Sequence, residues 1–272
     1  MKINPNLNFD IKLSREKWNE IYQNQSQIEK LYNDYSEYWE KYGKDTYYQL
    51  NSSKKIDKEI IYLEIGCGTF FLGQKLAKKC RLVIGIDFCY QALEMAKKML
   101  DQEGITNYLL IQGDISNLPI KTNRIDLIYG GGVIEHFKNT QICLNELYRV
   151  LKNNGISFNT VPYLNIGSLT YRQIWGNIPD FPILRQTAEF IHLKLLKGRH
   201  MIFGYEKSFP GYTLKKLYQK AGFRKIKVEK FTVRLTFEFI PALARKTFVR
   251  LANSSKLFWP MVKVIGKKQT GA

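Results

Sequence analysis

From residue 60 onward, short apolar runs alternate with stretches in which apolar positions recur every three or four residues. Ile60–Ile65, Leu82–Asp87, Tyr108–Gln112, Ile125–Tyr129 and Ile156–Val161 read as buried strands. Between them Phe71–Cys80, Tyr90–Gln102 and Asn139–Leu151 read as helices, the last stopping at Asn154-Gly155. Strands separated by helices of this length predict βαβ units. The expected fold class is therefore α/β, a doubly wound, mostly parallel sheet with helices on both faces.

Two stretches break the rhythm, at about 163–210 and 237–258. Between and after them it resumes, with a helix over Thr213–Ala221, a strand over Lys225–Val233 and a closing strand over Met261–Gly266. Upstream, residues 11–50 carry Trp18, Ile21, Tyr22, Ile28, Leu31, Tyr32, Tyr35, Tyr38, Trp39 and Tyr42 at helical spacing. They predict one or two amphipathic helices ended by Gly43, whose aromatics form a packing face or line an entrance. The expected organisation is a helical cap over 1–57 and a domain over 58–272 with two insertions.

At 272 residues the chain is long enough for a full core without covalent staples. It holds no apolar run of membrane-spanning length and opens on no signal-peptide pattern, which predicts a cytoplasmic protein. Cys67, Cys80, Cys89 and Cys143 show no paired spacing and read as reduced thiols. The net charge of +18 is unevenly placed. Residues 1–50 carry −1 and residues 51–163 carry +3, whereas residues 164–272 hold 21 basic and 5 acidic side chains, net +16. Such asymmetry points to an anionic partner for that half: a phospholipid surface, nucleic acid or a phosphorylated substrate. A merely solvated, lysine-rich surface is the other reading.

Candidate chemistry gathers at successive strand ends. Leu63-Glu64-Ile65-Gly66-Cys67-Gly68-Thr69 runs from a strand into a tight turn and a helix. Gly66 and Gly68 leave bare backbone beside a ligand, and Glu64 favours a cationic group over a phosphate. A pyrophosphate loop would need a third glycine at the position that Phe71 holds. Asp87 ends the second strand, where a carboxylate accepts both hydrogen bonds of a ribose diol. After the third strand, Asp114 can accept from an adenine amino group while Ile115 packs on the ring. After the fourth strand, Gly130, Gly131 and Gly132 form a bare wall that leads into Val133-Ile134-Glu135-His136.

With these four elements in order, the chain resembles the class I S-adenosylmethionine-dependent methyltransferases, particularly the small-molecule group related to quinone-biosynthesis enzymes. The resemblance covers roughly residues 58–165, with a looser echo at 204–233 and in the closing Val262-Lys263-Val264-Ile265-Gly266-Lys267-Lys268. It implies a Rossmann-like, seven-stranded sheet whose last strand is antiparallel, and S-adenosylmethionine as cofactor. It also implies that Glu64, Gly66 and Gly68 hold the methionine end and Asp87 the ribose. Asp114 and Ile115 would contact the adenine, and Gly130 and Gly131 the methyl end. One position departs: where the family has a third glycine this chain has Phe70, which would tighten the pocket and weaken or alter the cofactor site.

Methyl transfer from a sulfonium needs alignment and dryness, and a base when the acceptor is a hydroxyl. His136, just past the glycine wall, is the candidate base; the alternative is a helix cap or a hydrogen bond to Glu135. His192 and His200 lack carboxylate or thiol companions at ligand spacing, so no metal site is expected. Resemblance to nucleobase amino-methylating enzymes would require an Asn/Asp-Pro-Pro-aromatic group after the fourth strand, which is absent. Ile240, Leu243, Ala244, Phe248 and Leu251 share one helical face, started by Pro241, with Arg245, Lys246, Arg250 and Asn253 mostly elsewhere and Phe258 and Trp259 following. That pattern fits an interfacial helix or a lid packed on the sheet. The expected activity is methylation of a small or lipophilic acceptor at oxygen or carbon, with an anionic membrane surface on the cytoplasmic face as partner. An RNA methyltransferase using the basic half and a non-catalytic cofactor-binding module are the alternatives.

Overall fold

The computed structural model describes residues 9–23, 43–231 and 241–269. Helix α1 (Phe9–Gln23) opens the chain and α2 (Lys44–Ser53) follows. Then come β1 (Ile61–Ile65), α3 (Phe71–Ala77), β2 (Leu82–Asp87), α4 (Tyr90–Gln102), β3 (Tyr108–Gln112), β4 (Ile125–Gly131), α5 (Thr140–Val150) and β5 (Leu151–Pro162). The first interruption holds α6 (Ile166–Leu169), β6 (Ile178–Pro179), α7 (Pro182–Glu189), a π-helical turn over Phe190–Leu195, and β7 (Lys207–Ser208). Helix α8 (Gly211–Lys220), β8 (Arg224–Phe231), α9 (Ala242–Ser254) and β9 (Met261–Lys267) complete it.

Seven strands form one sheet in the order β3-β2-β1-β4-β5-β9-β8. β1 pairs in parallel with β2 and β4, whereas β9 runs antiparallel to both β5 and β8, as the resemblance implies. Alternate residues of each inner strand feed opposite faces. Leu63 and Ile65 of β1 join Leu144 and Leu147 of α5 and Leu214 and Tyr218 of α8 on one side. Tyr62 joins Leu72 and Leu76 of α3 and Leu93 and Leu100 of α4 on the other. Burial on both faces explains the unbroken apolar runs. The strand order reverses between β1 and β4, so a crevice opens outside their carboxyl ends.

Several boundaries differ from the sequence reading. Gly43 ends nothing: its φ of −64° and ψ of −41° are helical, and the chain runs on as a helix to Ser53. The aromatics from Ile28 to Tyr42 lie outside the described residues. Helix α5 stops at Val150, and Leu151 already pairs with Ile125 while Ile156 pairs with Leu127. Residues 152–155 thus stand opposite Asp126 alone, and Asn154, at φ +63°, belongs to an irregular strand and not to a helix stop. Helix α3 ends at Ala77, and β4 extends to Gly131. Helix α8 starts two residues early, behind the extended Pro210.

The departure at Phe70 resolves differently from the expectation. Phe70 takes φ +57° and ψ +34°, the left-handed conformation that makes glycine usual there. Its ring does not enter the cleft; it is fully buried with Leu72 and Leu76 in the core. Gly73 and Gly85 make the room: a Cβ on Gly73 would collide with the ring, and one on Gly85 would come within 3.1 Å of it. A glycine three residues downstream thus accommodates the missing one. Phe70→Ala should cost about 3–5 kcal/mol of stability through the cavity it leaves. Phe70→Gly should unfold at a higher urea midpoint than Phe70→Ala, because glycine recovers roughly 1–2 kcal/mol of left-handed strain. Equal midpoints would show that no such strain is stored.

Candidate active site

The turn after β1 is built from backbone. Gly66 and Gly68 adopt φ of +55° and +51°, which glycine takes without steric cost. A Cβ on Gly66 would press to 2.6 Å from Val133, so this turn packs against the segment that follows β4. The Cys67 amide donates to the Ile86 carbonyl at 3.1 Å, tying the turn to β2.

Asp87 holds the two loops together. Its Oδ2 accepts from the Gly68 amide at 2.9 Å and its Oδ1 from the Cys89 amide at 2.8 Å. Burial raises its pKa, and the amides of Cys89, Gly68 and Phe88 pull it back. Each oxygen keeps a further lone pair, so a ribose diol still finds two acceptors here. Bare backbone at Gly66 and Gly68 beside such a carboxylate fits the nucleoside cofactor implied by the sequence.

Glu64 is spent differently from the expectation. Its Oε2 accepts from the Tyr62 hydroxyl at 2.9 Å and from the Gly73 amide at 3.0 Å. Gly73 is the third residue of α3, so Glu64 caps that helix from a neighbouring strand. Burial pushes its pKa up to about 8 despite both donors, which keeps the carboxyl neutral at neutral pH.

Helix α1 roofs the crevice. Arg15 pairs with Asp114 at 3.1 Å and sets its guanidinium over Phe88 at 5.7 Å. The other oxygen of Asp114 accepts from the Ser116 amide and hydroxyl at 2.9 and 2.8 Å. Ile115 is buried in the core cluster with Ile86 and Leu118. The Tyr22 hydroxyl occupies the space that a Cβ on Gly68 would need. Arg15, Trp18 and Tyr22 thus lie along one side of α1 and reach Asp114, His136 and Gly68 respectively. Sequence reading missed Arg15; its spacing from Trp18 and Tyr22, three and seven residues, is the signal that could have found it.

The glycine wall has two sides. Gly130 is buried, and a Cβ there would collide with Asn159 Oδ1 and crowd Ile65, so it faces the core. Gly131 is exposed at the strand end. His136 closes a single 3₁₀ turn over Ile134–His136. Its Nδ1 lies 2.7 Å from the Tyr205 carbonyl, which can only accept, so Nδ1 carries the proton and the neutral ring presents Nε2 as a base. Burial lowers its pKa, and Glu206 and the Tyr205 and Gly132 carbonyls partly offset this. Trp18 stands perpendicular to the ring at 6.1 Å and also touches Phe203 at 6.0 Å. His136 therefore bonds neither Glu135 nor a helix end. The Glu135 carboxyl is buried beside it, pushed well up by burial and by Glu206, and its Oε2 has no hydrogen-bond partner among the described residues. His192 and His200 bond each other at 2.9 Å, and His192 reaches Gln173 at 3.0 Å, which makes them a clamp inside the insertion.

Comparison with known proteins agrees with this geometry. Residues 56–170 match the family model of a methyltransferase domain. Over 130 residues the chain is 32% identical to a malonyl-[acyl-carrier protein] O-methyltransferase of Hamiltonella defensa, covering 47% of each chain. It is 29% identical to a demethylmenaquinone methyltransferase of Lactococcus lactis, over 62% of this chain and 67% of that one. The chain thus spans about half the length of the first relative and two thirds of the second. Among solved structures, phosphoethanolamine N-methyltransferase 2 of Haemonchus contortus, in complex with S-adenosyl-L-methionine, superposes with a TM-score of 0.57 at 17% identity. That match covers 81% of this chain and 51% of the other and concerns the fold alone. The resemblance read from the sequence is borne out over residues 56–170, which match a methyltransferase domain, and the seven-stranded sheet around them is Rossmann-like.

Glu64 generates a pH signature. Its pKa is raised in the fold above its ordinary value of 4.5, so the stability it contributes is complete below 4.5 and is lost as pH rises toward about 8. Glu64→Gln, which keeps the acceptor for Tyr62 and Gly73, should gain on the parent in urea midpoint between about pH 5 and about pH 8. A difference that stays constant across that window would rule out a neutral Glu64.

Proposed function

We propose that this protein transfers the methyl group of S-adenosylmethionine to an oxygen or carbon of a small, lipophilic acceptor. The observation that carries the reading is His136: a neutral imidazole oriented by the Tyr205 carbonyl, one turn beyond the exposed Gly131, beneath Trp18. Asp87 would hold the ribose, and the backbone of Gly66, Gly68 and Gly131 the methionine end. Asp114 would accept from the adenine once Arg15 swings aside, with Ile115 against the ring. The cofactor, when bound, supplies an electrophilic methyl on a sulfonium, a leaving group that needs no protonation.

What the chain adds is position, dryness and a base. Trp18 covers His136 from α1 and Phe203 of the insertion packs against Trp18, which would exclude water and offer an apolar, aromatic surface to an acceptor. An acceptor hydroxyl, or the hydroxyl of an enol or phenol that reacts at carbon, gives its proton to His136 Nε2 as the new bond to methyl forms. The lowered pKa keeps that nitrogen unprotonated at neutral pH. Among the relatives, one is named for malonyl-[acyl-carrier protein] and another for demethylmenaquinone; the second, a lipophilic ring, matches the apolar lining better.

Asp87→Ala should weaken S-adenosylmethionine binding by at least tenfold in calorimetry, because ribose and loop lose the same carboxylate. Unchanged affinity would remove Asp87 from the site. With methyl-labelled cofactor and cell extract, label should enter the lipid fraction; label in RNA instead would favour the basic half as a phosphate footprint. His136→Gln should lower turnover by roughly 10²–10⁴-fold with cofactor affinity intact. It should also abolish an acid limb lying below pH 6.5, where the folded imidazole protonates. Full turnover with the limb retained would return His136 to a structural role.

A further inference from the structure

We propose that the two interruptions of the sheet rhythm form one docking surface for an anionic phospholipid bilayer, laid beside the His136 entrance. Among the described residues, 22 large hydrophobic side chains are exposed, and 17 of them fall within 166–203 and 243–258. Leu243 is 95% exposed, Ile183 74% and Ile174 70%. On the apolar face of α9 read from the sequence, Leu243, Phe248 and Leu251 are exposed, and Ile240 lies outside the described residues. Apolar surface concentrated in this way, and not scattered singly, marks an interaction site.

The exposed stretches are joined. Asn165 donates to the Trp259 carbonyl at 2.5 Å and Arg172 to the Pro260 carbonyl at 3.1 Å, fastening α6 and the turn after it to the end of the second interruption. The His192–Gln173 bond fastens the π-helical turn to the same turn. Charge completes the pattern. The insertion's carboxylates are already paired, Glu206 with Arg172, Asp180 with Arg185, and Glu189 with Arg185 and with Lys138 ahead of α5. Lys194, Lys197, Arg199, Lys246 and Arg250 are exposed and make no ion pair with a described carboxylate.

Cations interleaved with exposed aliphatic side chains select the partner. Of the 17 exposed side chains, 12 are leucine or isoleucine and 5 phenylalanine. The aliphatic majority cannot stack on bases as nucleic-acid platforms do, but it can enter an acyl layer, with the phenylalanines, while lysine and arginine meet anionic headgroups. No described helix is long and apolar enough to cross a membrane, so the contact is superficial. The surface also continues into the site: Phe203 touches Trp18, Gly198 and Gly204 press on Leu13 and Ser14 of α1, and Tyr205 orients His136. The use of this placement rests on the lipophilic-acceptor reading; the surface itself does not.

The full chain should float with vesicles of phosphatidylcholine containing about one-third phosphatidylglycerol, far less with phosphatidylcholine alone, and less as salt rises. Lys194→Glu/Lys197→Glu/Arg199→Glu should lose roughly a hundredfold in vesicle affinity. Ile174→Ser/Ile183→Ser/Leu243→Ser, at sites too exposed to affect folding, should lose at least tenfold. Unchanged binding by either triple variant would overturn the proposal. So would absence of flotation, whether with salt-sensitive RNA binding or with a dimer that buries Leu243. Calorimetry with S-adenosylmethionine on the same samples separates the two readings. Cofactor binding without flotation removes the docking surface alone, and flotation without cofactor binding removes methyl transfer alone.

Discussion

The Asp87 carboxylate is the constraint on which the cleft depends. It is a charge-bearing group at 7% exposure, and such a group survives burial only when it is hydrogen-bonded. Here the donors are the Gly68 amide of the turn after β1 and the Cys89 amide at the start of α4. One side chain thus sets the distance between the ends of β1 and β2. The sheet supplies the rest: β1 lies between β2 and β4, so fixing the first turn against the second places both against the glycine wall. The positive φ values of Gly66 and Gly68 carry no steric cost, and the loop's Cys67 and Gly68 amides are bonded to Ile86 and Asp87.

Around that cleft, residues far apart in sequence act as one assembly. Helix α1 touches Asp114 through Arg15, the first turn through Tyr22 and His136 through Trp18. The insertion meets the same helix from the other side, with Ser14 accepting from the Tyr205 amide at 3.0 Å. The roof is therefore shared between the chain's first described helix and its most basic, most apolar surface. A change at that surface is felt by the group that orients His136, with the Tyr205 carbonyl as the link.

The glycines show how pattern reading goes astray. Phe70 stands where a third loop glycine was expected, yet its ring leaves the cleft because Gly73 and Gly85 open a slot under α3. Gly130 belongs to the wall in sequence but faces Asn159 in the core. Glu64, placed by spacing at the mouth of the site, turns back to cap α3. Each is a matter of which way a single Cα faces, and spacing along a strand does not carry that direction once the strand ends in a turn.

The sequence by itself determined the layered sheet, because burial on both faces writes unbroken apolar runs, and helices between strands force parallel pairing. It also brought the candidate residues together, since the ends of parallel strands converge on one crevice, and it located the basic half. Only the tertiary structure decided that Arg15 answers Asp114, that Tyr205 orients His136, and that Leu243, Phe248 and Leu251 of α9 stay exposed. The first two are contacts between segments separated by roughly 70 to 100 residues. Local periodicity reports what a segment can bury and is silent on which distant segment arrives to cover it.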